Sequence, residues 1–204
     1  MDKNVFDLIM NSDKKFSGDD IMKLDLISHL LEEANNEIKE KSLTLNIMVG
    51  ISGSGKSTYI NRHKKAGDIV ISPDEIRREM TGDISDQSQN TKVFETANKR
   101  LRAAKSNTYF DATNLSMRSL RGVLSNAKQF NKVNILILSA SKNLDLCKRR
   151  VLGDISSGVD RANVPEKVIE NMHSRFMQFV QNLEVNGKKL KEEYGEDRIE
   201  IKMI

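Results

Sequence analysis

The chain has no tryptophan, one cysteine, two prolines and only 5% aromatic residues among its 204 positions. So few rings disfavour a single-strand binder built mainly on stacked aromatics. The lone Cys147 cannot close an internal disulfide, which agrees with a reducing cytoplasm as the expected compartment. No apolar run approaches the roughly 20 residues of a membrane span. The longest, Ile135–Leu138, is strand-sized, and the N-terminus carries Asp2 and Asp7 with no apolar segment of signal-peptide type. No internal repeat or low-complexity tract is present.

What is there is a globular balance, 38% hydrophobic and 30% charged, sufficient for one domain with a core. The net charge of +4 hides a split: residues 1–42 hold ten acidic and six basic side chains, and the remainder 19 and 27. The basic part favours phosphate-rich ligands.

Leu24, Ile27, Leu31, Ala34 and Ile38 recur at three- and four-residue steps, so residues 19–41 read as a helix opened by Asp19 or Asp20. A shorter helix is expected around Val5–Met10. Residues 1–42 are taken as a helical N-terminal extension packed on the main domain, which could instead mediate homo-oligomer or partner contacts. From residue 43 strands and helices alternate. Strands are expected at Leu43–Val49, Ile69–Ile71, Thr108–Asp111, Val133–Ser139 and Ile199–Ile204. Helices are expected at Lys56–His63, Asp74–Met80, Val93–Lys105, Ser116–Phe130 and Leu144–Leu152. A last long helix should begin at Pro165, with Val168, Met172, Phe176 and Phe179 facing the core. This is an α/β fold with a largely parallel sheet flanked by helices over residues 43–204, with ligands expected at the C-terminal ends of the strands.

Gly50-Ile51-Ser52-Gly53-Ser54-Gly55-Lys56-Ser57 satisfies G-x-x-x-x-G-K-[ST] between a strand and a helix, and Thr58 follows. Glycines let backbone N–H groups wrap a phosphate, Lys56 would reach the β- and γ-phosphates, and the Ser57 hydroxyl would ligate Mg²⁺. The cofactors expected are therefore ATP or another NTP, with Mg²⁺. A switch GTPase would need N-K-x-D, which is absent. A motor or AAA-type ATPase would want an apolar strand ending in Asp-Glu, whereas Ile135–Leu138 runs into Ser139-Ala140. A small kinase is left as the default.

Asp74 lies just beyond the second strand, where a carboxylate could take a hydroxyl proton, and Arg77 follows one helical turn later as a fork for a substrate phosphate. Asp111 ends the third strand and is expected to hold the magnesium's water shell or orient the acceptor, with Thr113 and Asn114 beside it as further acceptor contacts. Lys148-Arg149-Arg150 should close one helix. Gly153, Gly158 and small polar residues then suit a mobile flap reaching Arg161, so Arg149, Arg150 and Arg161 are the candidate lid arginines. His29, His63 and His173 show no ligand spacing.

Taken together, G-x-S-G-S-G-K-S-T, S-P-D-E-I-R, V-F-E-T-A-N-K-R-L before D-A-T-N-L, K-R-R and V-P-x-x-V-I-x-x-M resemble the kinase domain of phage polynucleotide 5′-kinase and its relatives. The resemblance runs over about residues 43–180 and leaves out 1–42. It implies a general base at Asp74, an arginine at Arg77 binding the phosphate next to the acceptor nucleoside, and γ-phosphate contacts from the Arg149, Arg150 and Arg161 group. It implies an ATP-dependent kinase of RNA or DNA 5′-hydroxyl ends, with nucleic-acid end repair as an expected use. No Asp-x-Asp signature is visible, so no 3′-phosphatase half is expected. A small-molecule kinase of a nucleoside, sugar or antibiotic, and a non-catalytic NTP-binding module, are the competing readings.

Overall fold

A computed structural model describes residues 17–40 and 42–204. The expected helix at Val5–Met10 lies outside the described residues. The chain divides into two compact units between Ser42 and Leu43.

The first unit's described part is helix α1, Gly18–Glu40. Ser17 caps it: its Oγ donates to Asp20 Oδ2 at 2.6 Å and accepts from Asp20 N at 3.2 Å. Met22, Leu26, Ile27, Leu30 and Leu31 are all exposed on this helix, so the stripe read from the sequence is wider than expected and uncovered at these positions.

The second unit is built on five parallel strands, β1 (Thr44–Val49), β2 (Ile69–Ile71), β3 (Thr108–Phe110), β4 (Lys132–Ile137) and β5 (Ile199–Met203), in the order β2-β3-β1-β4-β5. In β1, Leu45, Ile47 and Val49 point to one face and Met48 to the other, as a two-residue period requires. β1 pairs with β4 over its full length, from Thr44 opposite Lys132 to Val49 opposite Ile137.

The two faces are unequally covered. The first packs against α3 (Pro73–Thr81), α4 (Asn90–Ala103), α5 (Met117–Ser125), α6 (Leu144–Ser156), α7 (Glu166–Gln181) and α8 (Leu183–Tyr194), which bring Ile76, Leu101, Leu120, Val151, Phe176 and Leu190 among others to the core. The second has a smaller cluster of Met48, Tyr109, Leu136 and Leu138 under α2 (Lys56–His63), which contributes Ile60 and Tyr59. Phe110, Phe130 and Phe176 are fully buried. Truncating such a side chain to alanine costs about 3–5 kcal/mol.

Four expectations are corrected. Helix α5 stops at Ser125, not Phe130: Asn126 ends it by turning its Nδ2 back to Gly122 O at 2.7 Å, which frees Phe130 to enter the core. Helix α6 runs on to Ser156, through Gly153, so the flap is shorter than the glycines suggested. The last helical stretch is two helices, because the ladder breaks at Asn182, and α8 follows at once. Val168 is exposed, and Ile169 takes the core position expected of it.

Candidate active site

Sheet order places the turn after β1 at the centre of the strand ends, between β3 and β4. That turn is Gly50–Gly55, and α2 begins at Lys56. Gly50 N donates to Thr113 O at 3.0 Å, and Ile51 N donates to Ser141 Oγ at 3.2 Å. Gly53 has φ +80°, and a Cβ there would lie 2.2 Å from the carbonyl oxygen of Cys147 in α6. Only glycine fits. Gly55 has φ +93° and supplies no side-chain cap, and the first turn of α2 contains no acidic residue. The N-terminal amides of α2 are therefore left for an anion, which is what a phosphate requires. Ser54 Oγ is buried without a hydrogen-bond partner.

Lys56 Nζ donates to Ile51 O at 3.0 Å, so the side chain is folded back over the turn. Burial holds its ammonium below the ordinary lysine value, while Asp111 and Asp74 pull the other way and Arg161 adds to the lowering. Both carboxylates picked from the sequence thus act on this cation. Ser57 Oγ donates to Asp111 Oδ2 at 2.8 Å. Among the described residues no group of three or more His, Cys, Asp or Glu could hold a metal ion. A Mg²⁺ at the Ser57–Asp111 pair would complete its oxygen shell with phosphate and water, as that ion normally does. Thr58, exposed, follows in α2. The residues fit a nucleotide triphosphate and its metal.

Asp74 is not the cap of α3. Ser72 takes that role, accepting from Glu75 N at 3.4 Å with Pro73 at the first helical position. Asp74 is instead largely exposed and bonded through Oδ1 to Arg77 Nη1 at 2.6 Å. Arg77 is buried. Its Nη2 donates to Asn90 Oδ1 at 3.0 Å and its Nη1 also reaches Ile84 O at 3.4 Å. The two outer nitrogens of the fork expected to meet a substrate phosphate are bonded within the protein and hold Asp74 in place, while its Nε is buried without a partner. Asn90 had no sequence signal, since it lies 13 positions from Arg77 at the start of another helix.

Asn114 is likewise bonded within the protein. It is buried at φ +47° and donates from Nδ2 to Met48 O at 2.9 Å, while the Thr113 carbonyl anchors Gly50. Both residues brace the phosphate turn. Asn tolerates this left-handed backbone better than most residues.

The three lid arginines separate. Arg161 Nη2 donates to Ser52 Oγ at 2.9 Å and its Nη1 pairs with Asp154 at 2.5 Å. Arg150 Nη1 reaches Gly53 O at 3.4 Å. Arg149 is exposed and has no ion pair among the described residues. Lys148 turns the other way, to Glu166 at 2.6 Å and Glu170 at 2.8 Å on α7. Asp154 was missed because its stretch was read as loop. The flap is also tied to α3 and the segment after it, by Arg78–Asp160 at 2.9 Å and by Asn163 N donating to Ser85 Oγ at 3.1 Å. Cys147 is buried, and burial pushes its thiol up, so it is no nucleophile.

A family model described as AAA domain matches residues 45–179. Among solved structures, the Pnkp1/Rnl/Hen1 RNA repair complex superposes with a TM-score of 0.57 at 22% identity, covering 69% of this chain and 46% of that one. A second Pnkp1/Rnl/Hen1 complex gives 0.42 at 25% identity over 48% and 36%. Shikimate kinase from Acinetobacter baumannii in complex with shikimate gives 0.43 at 16% identity over 80% and 84%. The last two superpose too loosely to add to the argument. The chain thus spans less than half the length of the first two. No curated protein matches it. Among the described residues no helix is long and apolar enough to cross a membrane. Strand β4 runs through Leu138 into Ser139 without an Asp-Glu pair, as read from the sequence. With a central parallel sheet and a full phosphate turn, the chain belongs to the AAA domain family and has a P-loop kinase fold.

Proposed function

We propose that the protein is an ATP-dependent polynucleotide 5′-hydroxyl kinase acting on RNA or DNA ends. The observation that carries this reading is the pair of carboxylates that follow β2 and β3, Asp74 and Asp111, both of which act electrostatically on Lys56 of the phosphate turn. One carboxylate is bonded to the Ser57 hydroxyl, and the other is exposed and clamped by Arg77. The pair has one member suited to a metal and one free for an incoming hydroxyl.

The α2 amides and Lys56 bind the phosphates, and Ser57 with Asp111 would hold Mg²⁺, which neutralises phosphate charge when bound. Asp74 accepts the proton of the acceptor hydroxyl as its oxygen bonds to phosphorus. Arg77 fixes the Asp74 carboxylate through the 2.6 Å contact. Arg150 and Arg161 approach the turn from the lid side and can meet charge that builds on the transferring group. Arg149 has no such approach.

The polynucleotide acceptor is supported by the basic balance of residues 43–204, by the motif order, and by the fold shared with a component of an RNA repair complex. Incubation with γ-labelled ATP and a panel of 5′-hydroxyl RNA, 5′-hydroxyl DNA, nucleosides and sugars tests it. Label on oligonucleotide ends supports the reading. Label only on small molecules shifts the protein to a metabolite kinase, and nucleotide binding without any transfer makes it a non-catalytic module.

A further inference from the structure

A second cleft lies outside the phosphate site, with a volume of about 430 Å³, within the usual range for ligand sites. Arg175, Gln178, Asn182 and Asn186 line it from α7 and α8, opposite Leu115 and Met117. Among the described residues the side chains of Arg175, Gln178 and Asn186 have no hydrogen-bond partner, and Arg175 has no ion pair. No carboxylate lines the cleft. It therefore offers one uncompensated guanidinium, a row of amides and an apolar wall.

Two connections tie this cleft to the acceptor side. Leu115 and Met117 follow directly on the Asp111–Asn114 turn at the end of β3. Helix α7 begins at Glu166, just after the flap that carries Arg161 to Ser52. Arg175 lies about 13 Å farther along that helix at 1.5 Å per residue. The cleft is thus lined by the residues that continue the chain from the Asp111–Asn114 turn and by the helix that continues it from the flap.

We infer that the cleft holds the acceptor strand downstream of its reacting end, as single-stranded nucleic acid. Arg175 binds a backbone phosphate. Gln178 and Asn186 donate to and accept from a base edge. Leu115 and Met117 cover the base's apolar face. This rests on the polynucleotide reading above and adds a specificity determinant to it: acceptors long enough to fill the cleft bind better than a single nucleotide.

The test compares wild type, Arg175→Ala and Arg175→Lys with two acceptors, a nucleoside 3′-phosphate and an oligonucleotide of about ten nucleotides, within the range of single-strand sites. Arg175→Ala should raise KM for the oligonucleotide about tenfold, the size of one charge-assisted contact, and leave kcat unchanged. The short acceptor should be unaffected, and Arg175→Lys should recover part of the loss. An equal effect on both acceptors, or none on either, overturns the inference. Anisotropy of the labelled oligonucleotide reads the cleft without transfer. Equal affinities for wild type and Arg175→Ala overturn the cleft even where transfer proceeds. Arg175-dependent binding without transfer to any polynucleotide overturns the kinase reading and leaves the cleft standing.

Discussion

The phosphate turn and the flap meet at Ser52, yet they are held by different forces. The turn is fixed by backbone groups and close packing: Gly50 to Thr113, Ile51 to Ser141, Gly53 against Cys147. The flap is fixed by long polar side chains: Arg161 to Asp154 and Ser52, Arg78 to Asp160, with Asn163 resting on Ser85. Leu152 and Val159 at its base are exposed, so little apolar burial holds it. Contacts of the first kind are not individually dispensable. Contacts of the second kind are worth under about 1 kcal/mol each where solvent reaches them. One region is preorganised and the other can open at small cost, which suits a site that must admit a ligand and then exclude water.

The contrast is broken most severely at Gly53. Gly53→Ala combines a left-handed backbone with a clash against a main-chain carbonyl, and should cost about 3 kcal/mol in urea unfolding and abolish nucleotide binding measured by calorimetry. Asp74→Asn should leave nucleotide affinity nearly unchanged while lowering kcat about 10²–10⁴-fold, the usual range for a general base, with some loss of unfolding stability because buried Arg77 loses its charged partner. On the flap, Arg161→Ala should lower kcat about 10²-fold or more. Arg149→Ala should stay within about threefold of wild type, as expected where a side chain touches nothing in the site. A large Arg149 effect with a small Arg161 effect would reverse the assignment made from geometry.

The smallest effect concerns pH. Lys56 is held below 10.5, its ordinary value, chiefly by burial. Between its lowered folded value and 10.5 the unfolded chain holds the proton more tightly, so wild-type stability should rise with pH in that window. Below the folded value the full penalty is present. Unfolding curves of wild type and Lys56→Met across this range isolate the contribution: wild type should gain on the variant as pH rises, and a constant difference would mean that the ammonium is not penalised by folding.

Much of this was legible before any coordinates. The turn could be read because its requirements are local: two glycines with positive φ and a lysine at a fixed spacing after a strand. Strand positions followed from short apolar runs, which have few alternatives once bounded by polar turns. What was not legible depends on distant partners. Arg77 and Asn114 carry the right chemistry for a ligand, yet both are buried and bonded within the protein, Arg77 to Ile84 and Asn90 beyond its own helix and Asn114 to Met48 on β1. Gly153 looked like a break because glycine lowers helix propensity, yet Asn143 caps α6 and Cys147 and Val151 anchor it in the core, and together these outweigh about 1 kcal/mol. Helix α8 escaped notice because its lysine-rich face masks the buried Gly187 and Leu190.

The contact between Gly53 and the main chain of Cys147 also limits how the site can move. A backbone seated this tightly on a neighbouring helix cannot slide without lifting the turn itself, so α6 and the turn must travel as one piece. The pivot for opening is then left to the chain between Ser157 and Pro165, where Gly158 adopts φ +71°. Stiffening that short stretch would trap a ligand in or out, while the floor beneath it stayed unchanged.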